Sequence, residues 1–255
     1  MKLENIDILY EDKEIIVCHK QAGVATQTSR TGEADMESAL KNYLKVAYIG
    51  VVHRLDQPVE GILVFAKTKN AAAKLSEQNK GKTMCKYYCA VAVPVKKECV
   101  KSGVSQQTGM EYVGAERDLI RELGREYVLV DYLLKDGKRN ISKVVEEGTP
   151  GAKRAELAYK IIKTGQADQQ QTVFLEITLK TGRHHQIRVQ LSNAGLPLLG
   201  DAKYGIGVSG MQGGKQLIKN IALCADRLEF LHPVTGKKMS FKIEPSGAAF
   251  HAFSS

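Results

Sequence analysis

The sequence predicts an α+β fold built on a large, mixed, mostly antiparallel β-sheet flanked by helices. Segments with strand patterning outnumber those with helical spacing along the 255 residues. The connections mix short hairpin turns with longer links, which favours antiparallel pairing accompanied by a few helices. No repeat and no break in composition divides the chain, so we expect a single domain over residues 1–255.

The first part of the chain alternates strands and helices. Ile6–Tyr10 and Ile15–Lys20 flank a charged turn and predict a hairpin. The apolar run Ile62–Ala66 follows a glycine and is typical of a strand buried on both faces. Lys69–Gln78 predicts a short helix capped by Thr68. An earlier helix with one inward face is indicated by apolar residues at helical spacing: Met36, Ala39, Leu40, Tyr43, Leu44 and Ala47.

The remainder has a weakly patterned insertion and further strands. Residues 101–150 are polar, and we expect exposed hairpins and loops there. Residues 181–188 predict a loop that enters a helix capped by Gly195, and a glycine-rich loop follows at 205–214. Further strands are predicted at Tyr88–Val95, Ala155–Ile162, Val173–Leu179, Ile221–Phe230 and Met239–Ile243, and Val128–Leu134 is the patterned part of residues 101–150.

Composition narrows the class of protein. The net charge is 37 − 28 = +9, which fits either a polyanionic partner or a solvated basic surface. No apolar run approaches the roughly 18 residues that span a bilayer, and the acidic start does not resemble a signal peptide. The five cysteines are scattered and lack the paired spacing of a zinc site, so we expect reduced thiols and a cytoplasmic protein.

Two segments carry chemically useful residues. In residues 51–58, Asp56 lies between basic neighbours and Pro58, just before the predicted buried strand. Such a loop suits a reactive carboxylate, although the pattern alone favours a simple turn cap paired with Arg54. In residues 182–188, His184, His185 and Arg188 would share one face if the segment is helical. Exposed amides at that helix start, with Arg183, would suit a phosphate, and a solvated basic helix is the alternative.

The two segments together resemble a known family. HRLDQPVEGILVFAKT is similar to the catalytic signature of the RluA-type RNA pseudouridine synthases. GRHHQIRVQLSNAGLPLLGDAKYG resembles a later block of the same family, and ILYEDKEIIVCHKQAG and KYYCA add weaker matches. The resemblance implies a pseudouridine synthase fold with a central RNA-binding cleft and isomerisation of a uridine in rRNA or tRNA. It implies no metal or other cofactor.

The resemblance also implies roles for individual residues. Asp56 matches the essential aspartate, Tyr88 the active-site tyrosine, with Tyr87 as the neighbouring alternative, and Arg188 the arginine that pairs with the aspartate. A nearby guanidinium favours an ionised carboxylate, which the reaction needs as nucleophile or base. Residues expected to contact RNA, with Arg54 acting on the displaced strand during base flipping, are His53, Arg54, Arg183, His185, Gln186 and Ile187.

The chain departs from the family pattern at several positions. Val59 and Glu60 replace a common Thr-Ser, Gln21 replaces a proline, and His184 replaces a smaller residue. We expect a short form without an N-terminal S4 domain, acting on structured RNA as a monomer. Two alternatives stay open: a catalytically silent RNA-binding protein, and a ribonuclease, metal- or histidine-dependent, that would use four residues, His53, Asp56, His184 and His185.

Overall fold

The computed structural model describes residues 6–28, 33–95, 121–167, 170–205, 211–212, 215–216 and 220–253. The chain separates into two compact units, called unit 1 (Met1–Tyr87 and Cys224–Pro245) and unit 2 (Tyr88–Leu223 and Ser246–Ser255). The single domain expected over residues 1–255 stays a prediction.

Strands dominate both units. The helices are α1 (Met36–Leu44), α2 (Lys69–Lys80) and α3 (Gln186–Asn193), and a 3₁₀ helix covers Ala248–Phe253. The strands are β1 (Asp7–Glu11), β2 (Ile15–Lys20), β3 (Gly50–Val51), β4 (Glu60–Ala66), β5 (Cys85–Ala92), β6 (Glu126–Asp136), β7 (Ile141–Val145), β8 (Lys153–Ala167), β9 (Gln170–Leu179), β10 (Met211–Gln212), β11 (Lys215–Gln216), β12 (Leu223–Leu231) and β13 (Lys238–Lys242).

Unit 1 is a mixed sheet centred on β4. Its strand order is β1-β2-β4-β12, with β13 added to β12 and β3 paired with β4. All these pairings are antiparallel except that between β4 and β12, where Cys224 faces Glu60 and Ala225 faces Gly61. Gly61 has φ +145°, and a Cβ there would lie 2.5 Å from that of Ala225, so the close approach of the two strands requires glycine. Every residue of β4 is buried, as its apolar run predicts.

The two helices of unit 1 begin at side-chain caps. Asp35 accepts the Ser38 amide at the start of α1, a cap that was not predicted. Thr68 accepts the Ala71 amide at the start of α2, and this predicted cap is confirmed. Helix α1 ends before Lys45, whose φ of 54° is left-handed, so the helical pattern predicted as far as Ala47 is too long. The inward position predicted for Tyr43 is also wrong, because its side chain is 52% exposed.

Unit 2 contains a sheet in the order β5-β9-β8-β6-β7, in which the pairings β9–β8, β8–β6 and β6–β7 are antiparallel, and α3 packs on β6 and β7. Burial alternates along β6, where Tyr127, Leu129, Asp131 and Leu133 face inward. The 3₁₀ helix adds two phenylalanines that contact Phe174 of β9. The sheet therefore supports α3 and the loop before it.

The predicted α+β class with a mostly antiparallel sheet is confirmed. The described part of the insertion, residues 121–150, contains the β6–β7 hairpin, as expected. Strand β5 begins at Cys85, three residues before its predicted start. Residues 101–120 and most of the glycine-rich loop at 205–214 lie outside the described residues.

The structure bears on two expectations drawn from the composition, one about membrane-spanning segments and one about the cysteines. No helix in the described ranges is long and apolar enough to cross a membrane. Four cysteines have free thiols, namely Cys18, Cys85, Cys89 and Cys224, and Cys99 lies outside the described residues. Burial raises the pKa of Cys18 to about 12, which makes it an unreactive core thiol.

Candidate active-site segments in the two units

Hydrogen bonds at the residues before and after Asp56 in unit 1 fix its position in the loop. On one side, Thr26 Oγ1 accepts the Leu55 amide at 3.1 Å and donates to the Leu55 carbonyl at 2.9 Å. On the other, the Gly23 amide donates to the Gln57 carbonyl at 2.8 Å, and the Gln57 side chain returns a bond to the Gly23 carbonyl at 3.1 Å. Asp56 itself is half-buried. The loop before β4 therefore holds one partly accessible carboxylate in a defined position.

A buried lysine completes this support. Lys20 is fully buried, and its Nζ donates to the carbonyls of Val24 at 2.7 Å and of Gln21 and Gln57 at 3.2 Å. Burial lowers the pKa of Lys20 to about 8, and the negative charges of Asp56 and Glu60 oppose that fall. The ammonium group thus joins the turn at residues 21–24 to the Asp56 loop and places a positive charge near the carboxylate.

The two basic residues before Asp56 lie in different surroundings. His53 is buried, and its Nε2 accepts the Val64 amide of β4 at 3.3 Å. Burial, with a smaller effect from Lys86, lowers the pKa of His53 to about 3, so its ring is neutral. Arg54 is exposed. His53 is therefore held inside the loop against β4, whereas the Arg54 side chain is accessible.

The unusual Glu60 has its own partner. Its side chain is buried, and its Oε1 lies 2.9 Å from Nε2 of His19. Nδ1 of the same histidine lies 3.0 Å from Asp7 Oδ2. The hydrogen bond with Glu60 is the main cause that raises the pKa of His19, and Asp7 adds to it. The extra carboxylate four residues after Asp56 is therefore paired with an imidazole.

The alternation of β5 separates the two candidate tyrosines. Lys86 and Tyr88 point to one face of the strand and Tyr87 to the other. The Arg227 guanidinium lies 3.8 Å from the centroid of the Tyr87 ring, a cation–π contact. Tyr88 is 7% exposed. The Tyr87 ring is therefore covered by the Arg227 guanidinium, on the face of the strand opposite to Tyr88.

Arg188 of unit 2 forms a buried bidentate ion pair with Asp201. Nε donates to Oδ2 at 2.8 Å and Nη2 to Oδ1 at 2.6 Å, and neither side chain is more than 6% exposed. Asp201 Oδ1 also accepts the amides of Lys203 and Tyr204. Helix α3 and the following turn therefore hold the guanidinium plane in one orientation. The pairing of Arg188 with Asp56 stays a prediction.

A hydrogen-bonded chain orients the histidine next to α3. The Tyr204 hydroxyl accepts the Ser142 amide at 2.7 Å and lies 2.8 Å from His185 Nδ1, within hydrogen-bonding distance. Burial, aided by Arg188, lowers the pKa of His185 to about 3, so the ring is neutral. The His184 and His185 rings stack with centroids 3.7 Å apart.

The helical arrangement predicted for the histidines is wrong. Helix α3 begins at Gln186, and His185 precedes it with a left-handed φ of 53°. The expectation of exposed amides at the helix start is also wrong, because Gln186 and Ile187 are buried. Gln186 Oε1 accepts the Arg183 amide at 2.9 Å. These contacts favour positioning roles for Gln186 and Ile187, whereas Arg183 is exposed.

Sequence reasoning missed several supporting residues. Asp201 and Tyr204 were only part of a quoted block, and the spacing D-x-x-Y after Gly200 is the signal that could have drawn attention to them. Thr26 and Lys20 gave no signal beyond their polar character next to a buried strand. Among the described residues, no three His, Cys, Asp or Glu side chains are grouped as metal ligands would be.

Solved structures define the class of fold. The chain superimposes on the human RNA pseudouridylate synthase domain containing 1 with a TM-score of 0.68 and 19% identity, over 96% of this chain and 85% of that one. The human RNA pseudouridylate synthase domain containing 4 gives a TM-score of 0.65 and 20% identity, over 94% and 89%. These likenesses establish a pseudouridine synthase fold.

Sequence relatives give the family. The uncharacterized RNA pseudouridine synthase YhcT of Bacillus subtilis is 31% identical over 90% of this chain and 65% of its own length. The ribosomal large subunit pseudouridine synthase D of Xylella fastidiosa is 31% identical over 90% and 62%. The chain thus spans less than two thirds of the length of these relatives. A family model described as RNA pseudouridylate synthase matches residues 14–193. The chain belongs to this family, and the RluA-type resemblance is confirmed.

Proposed function

We propose that the protein is an isomerase that converts a specific uridine of structured RNA into pseudouridine. The reaction breaks the N1–C1′ bond, rotates the uracil and joins C5 to C1′. Nothing is added to the RNA or lost from it, so neither its mass nor its chain length changes. Family membership and the retention of Asp56, Tyr88 and Arg188 support this activity.

The observation that carries the proposal is the two-sided support of Asp56. A reacting carboxylate must be held against one sugar carbon, and loss of about 1 Å in position costs orders of magnitude in rate. Backbone bonds at Leu55 and Gln57 provide that support, while Asp56 keeps partial access to solvent. We assign Asp56 the role of nucleophile or base at the ribose.

Tyr88 and Arg188 are proposed as the other catalytic residues. Tyr88 would offer a flat ring to the uracil, and it is preferred over Tyr87 because Tyr87 is covered by Arg227. Arg188 would keep the catalytic carboxylate ionised, and its pairing with Asp201 preorganises the guanidinium. Arg54, which is exposed, would stabilise the displaced RNA after the target base is flipped out.

We infer ribosomal RNA as the first substrate to examine, because relatives such as that of Xylella fastidiosa are named for the large ribosomal subunit. Transfer RNA is the second. The +9 charge suits either polyanion. We further propose that the whole chain acts as one catalytic domain and as a monomer in the cytoplasm, where its four described free thiols would stay reduced.

The test is pseudouridine formation by Asp56→Asn. Purified wild-type protein and the variant are incubated with ribosomal and transfer RNA lacking modifications, and pseudouridine is mapped by chemical labelling and mass spectrometry. We expect site-specific product from the wild type and at least about a 10³-fold loss in the variant. Glu77→Gln, which removes an exposed carboxylate from α2, is the matched control and keeps full activity.

Each alternative function predicts a different result. Product formation by Asp56→Asn at the wild-type rate contradicts the assigned role. RNA shortened by the wild type, and protected by a chelator or by replacement of His184, indicates a ribonuclease. Tight RNA binding without pseudouridine in any RNA indicates a catalytically silent binding protein.

A further inference from the structure

The tip of the β6–β7 hairpin is a dense cationic surface. Residues 135–143 contain four cations, Lys135, Lys138, Arg139 and Lys143, against one carboxylate, Asp136. All four cations are exposed. The Arg139 side chain is 80% exposed, and its contact with Asp136 is long, at 4.0 Å. In high dielectric such a pair contributes little, so the charge of the tip remains available to a partner.

Charge along the hairpin is polarised. At the end of β7 opposite the tip, Glu146 and Glu147 are exposed, and Glu147 accepts a hydrogen bond from the Tyr132 hydroxyl. Positive charge within the hairpin is thus concentrated at residues 135–143, which attracts a polyanion to the tip.

The conformation of the tip is fixed within the hairpin. Asp136 Oδ1 accepts the amides of Lys138 and Arg139 at 3.0 and 3.1 Å. Asn140 follows in the left-handed region with φ 50°, a conformation that asparagine tolerates better than most residues. The two cations at the turn are therefore carried on a defined backbone.

Hydrogen bonds also connect the hairpin tip to the segment that carries His184. His184 Nε2 lies 3.0 Å from Asn140 Oδ1, and Ser142 Oγ donates to the His184 carbonyl at 2.9 Å. Lys203 Nζ donates to the Asn140 carbonyl at 2.8 Å. Arg183, which precedes His184, is exposed, and its Nε donates to the Arg154 carbonyl of β8 at 2.9 Å. Two separate segments of unit 2 are joined into one rigid cationic surface.

We propose that this surface, called the hairpin clamp (residues 135–143 with Arg183, His184 and Lys203), binds phosphates of the substrate RNA outside the target nucleoside, and that His184 is the residue that fixes the clamp in its binding orientation. The inference rests on the proposed function for the identity of the polyanion. Preorganisation matters because ordering a long cationic side chain on an already rigid backbone costs less than ordering a mobile loop with it. His184 acts as a positioning residue, whereas Lys138 and Arg139 contact the RNA.

The test measures RNA affinity against salt concentration. A labelled transcript of large-subunit ribosomal RNA is titrated with the wild type and with Lys138→Ala/Arg139→Ala between 50 and 300 mM KCl. Because each phosphate contact contributes about 0.7–0.9 to the slope of log Kd against log salt, we expect the slope to fall by about 1.5 and Kd to rise about tenfold. Lys74→Ala/Lys80→Ala, which removes two exposed cations from α2, is the charge-matched control and keeps the wild-type slope.

His184→Ala tests the positioning role in a double-mutant cycle. We expect about a threefold rise in Kd when this change is made in the wild type and less than a 1.5-fold rise when it is made in the hairpin double variant, because the orientation of missing cations no longer matters. His184→Gln, which keeps a donor toward Asn140, should recover most of the affinity. A role for His184 in stability alone would give the same loss in both backgrounds and overturns the assignment.

The outcomes separate this inference from the proposed function. If the wild type forms pseudouridine but the hairpin variant keeps the wild-type slope and Kd, the hairpin clamp does not bind the RNA. The proposed isomerase activity is unaffected by that result. If the wild type forms no pseudouridine in any RNA while the hairpin slope still falls, the clamp stands and the activity is wrong. If the slope of log Kd against log salt falls equally in the α2 control, the loss reflects net charge alone. That result overturns the proposed hairpin clamp.

Discussion

The Asp56 loop of unit 1 and the Arg188 segment of unit 2 are held in opposite ways. Main-chain amides and carbonyls at Leu55 and Gln57 carry most of the bonds around Asp56. Around Arg188, side chains carry them, with Asp201 as the bidentate partner of the guanidinium. Loss of the Thr26 hydroxyl near Asp56 therefore removes one neutral hydrogen-bonding group, whereas loss of the Asp201 carboxylate leaves the buried Arg188 guanidinium without its partner.

The largest expected effect is in unit 2. Asp201→Ala removes the carboxylate that pairs with a buried guanidinium, so we expect the free energy of unfolding to fall by about 3–5 kcal/mol. Urea unfolding followed by circular dichroism measures this loss. Asp201→Leu combined with Arg188→Met removes both charges and should be clearly more stable than Asp201→Ala alone. A single variant that is as stable as the wild type would show that the pair does not hold this segment.

A smaller effect is expected at the support of the Asp56 loop. Thr26→Val deletes the hydroxyl that bonds both the amide and the carbonyl of Leu55. Because valine has a similar shape, we expect a loss of about 2 kcal/mol in stability and a fall of about tenfold or more in kcat with unchanged Kd for RNA. Thr149→Val, which removes one bond in a loop, is the control. Equal kcat values for the two variants would contradict the support proposed for Asp56.

The elements of both units follow largely from local sequence. The apolar run of β4 and the Thr68 cap of α2 were foreseen because burial and capping depend on residues adjacent in the chain. The limits of α1 were missed because Lys45, a residue without a turn signal, takes a left-handed conformation. His185 does the same before α3, which removed the predicted helical face.

Residues within one motif can be proposed for the site from the sequence, whereas distant supporting residues cannot. The family resemblance points to Asp56 and Arg188, and their roles stay predictions. Thr26 lies 29 residues from Leu55, and Ser142 lies 42 from His184, so no local pattern links them. Such pairings are set by strand register and loop closure, which depend on the whole sheet.

The smallest effect concerns the side-chain cluster of His19, Glu60 and Asp7, and it depends on pH. The hydrogen bond with Glu60, followed by that with Asp7, raises the pKa of His19 in the folded protein. The folded state then binds more protons than the unfolded state, so the stabilisation is fully present below the ordinary histidine pKa of about 6.5 and disappears as pH rises through the raised value. Asp7 is 55% exposed and adds little.

His19→Gln should therefore cost on the order of 1 kcal/mol at pH 6 and progressively less toward pH 9. The measurement is the difference in unfolding free energy between the wild type and the variant at each pH. His251→Gln, which changes an exposed histidine of the 3₁₀ helix, should give a small difference without this trend. A cost that stays constant with pH would mean that His19 stays neutral and donates to only one of the two carboxylates. Unit 1 would then hold Asp56 without any contribution from a charged pair at Glu60, which would strengthen its contrast with the Arg188 segment.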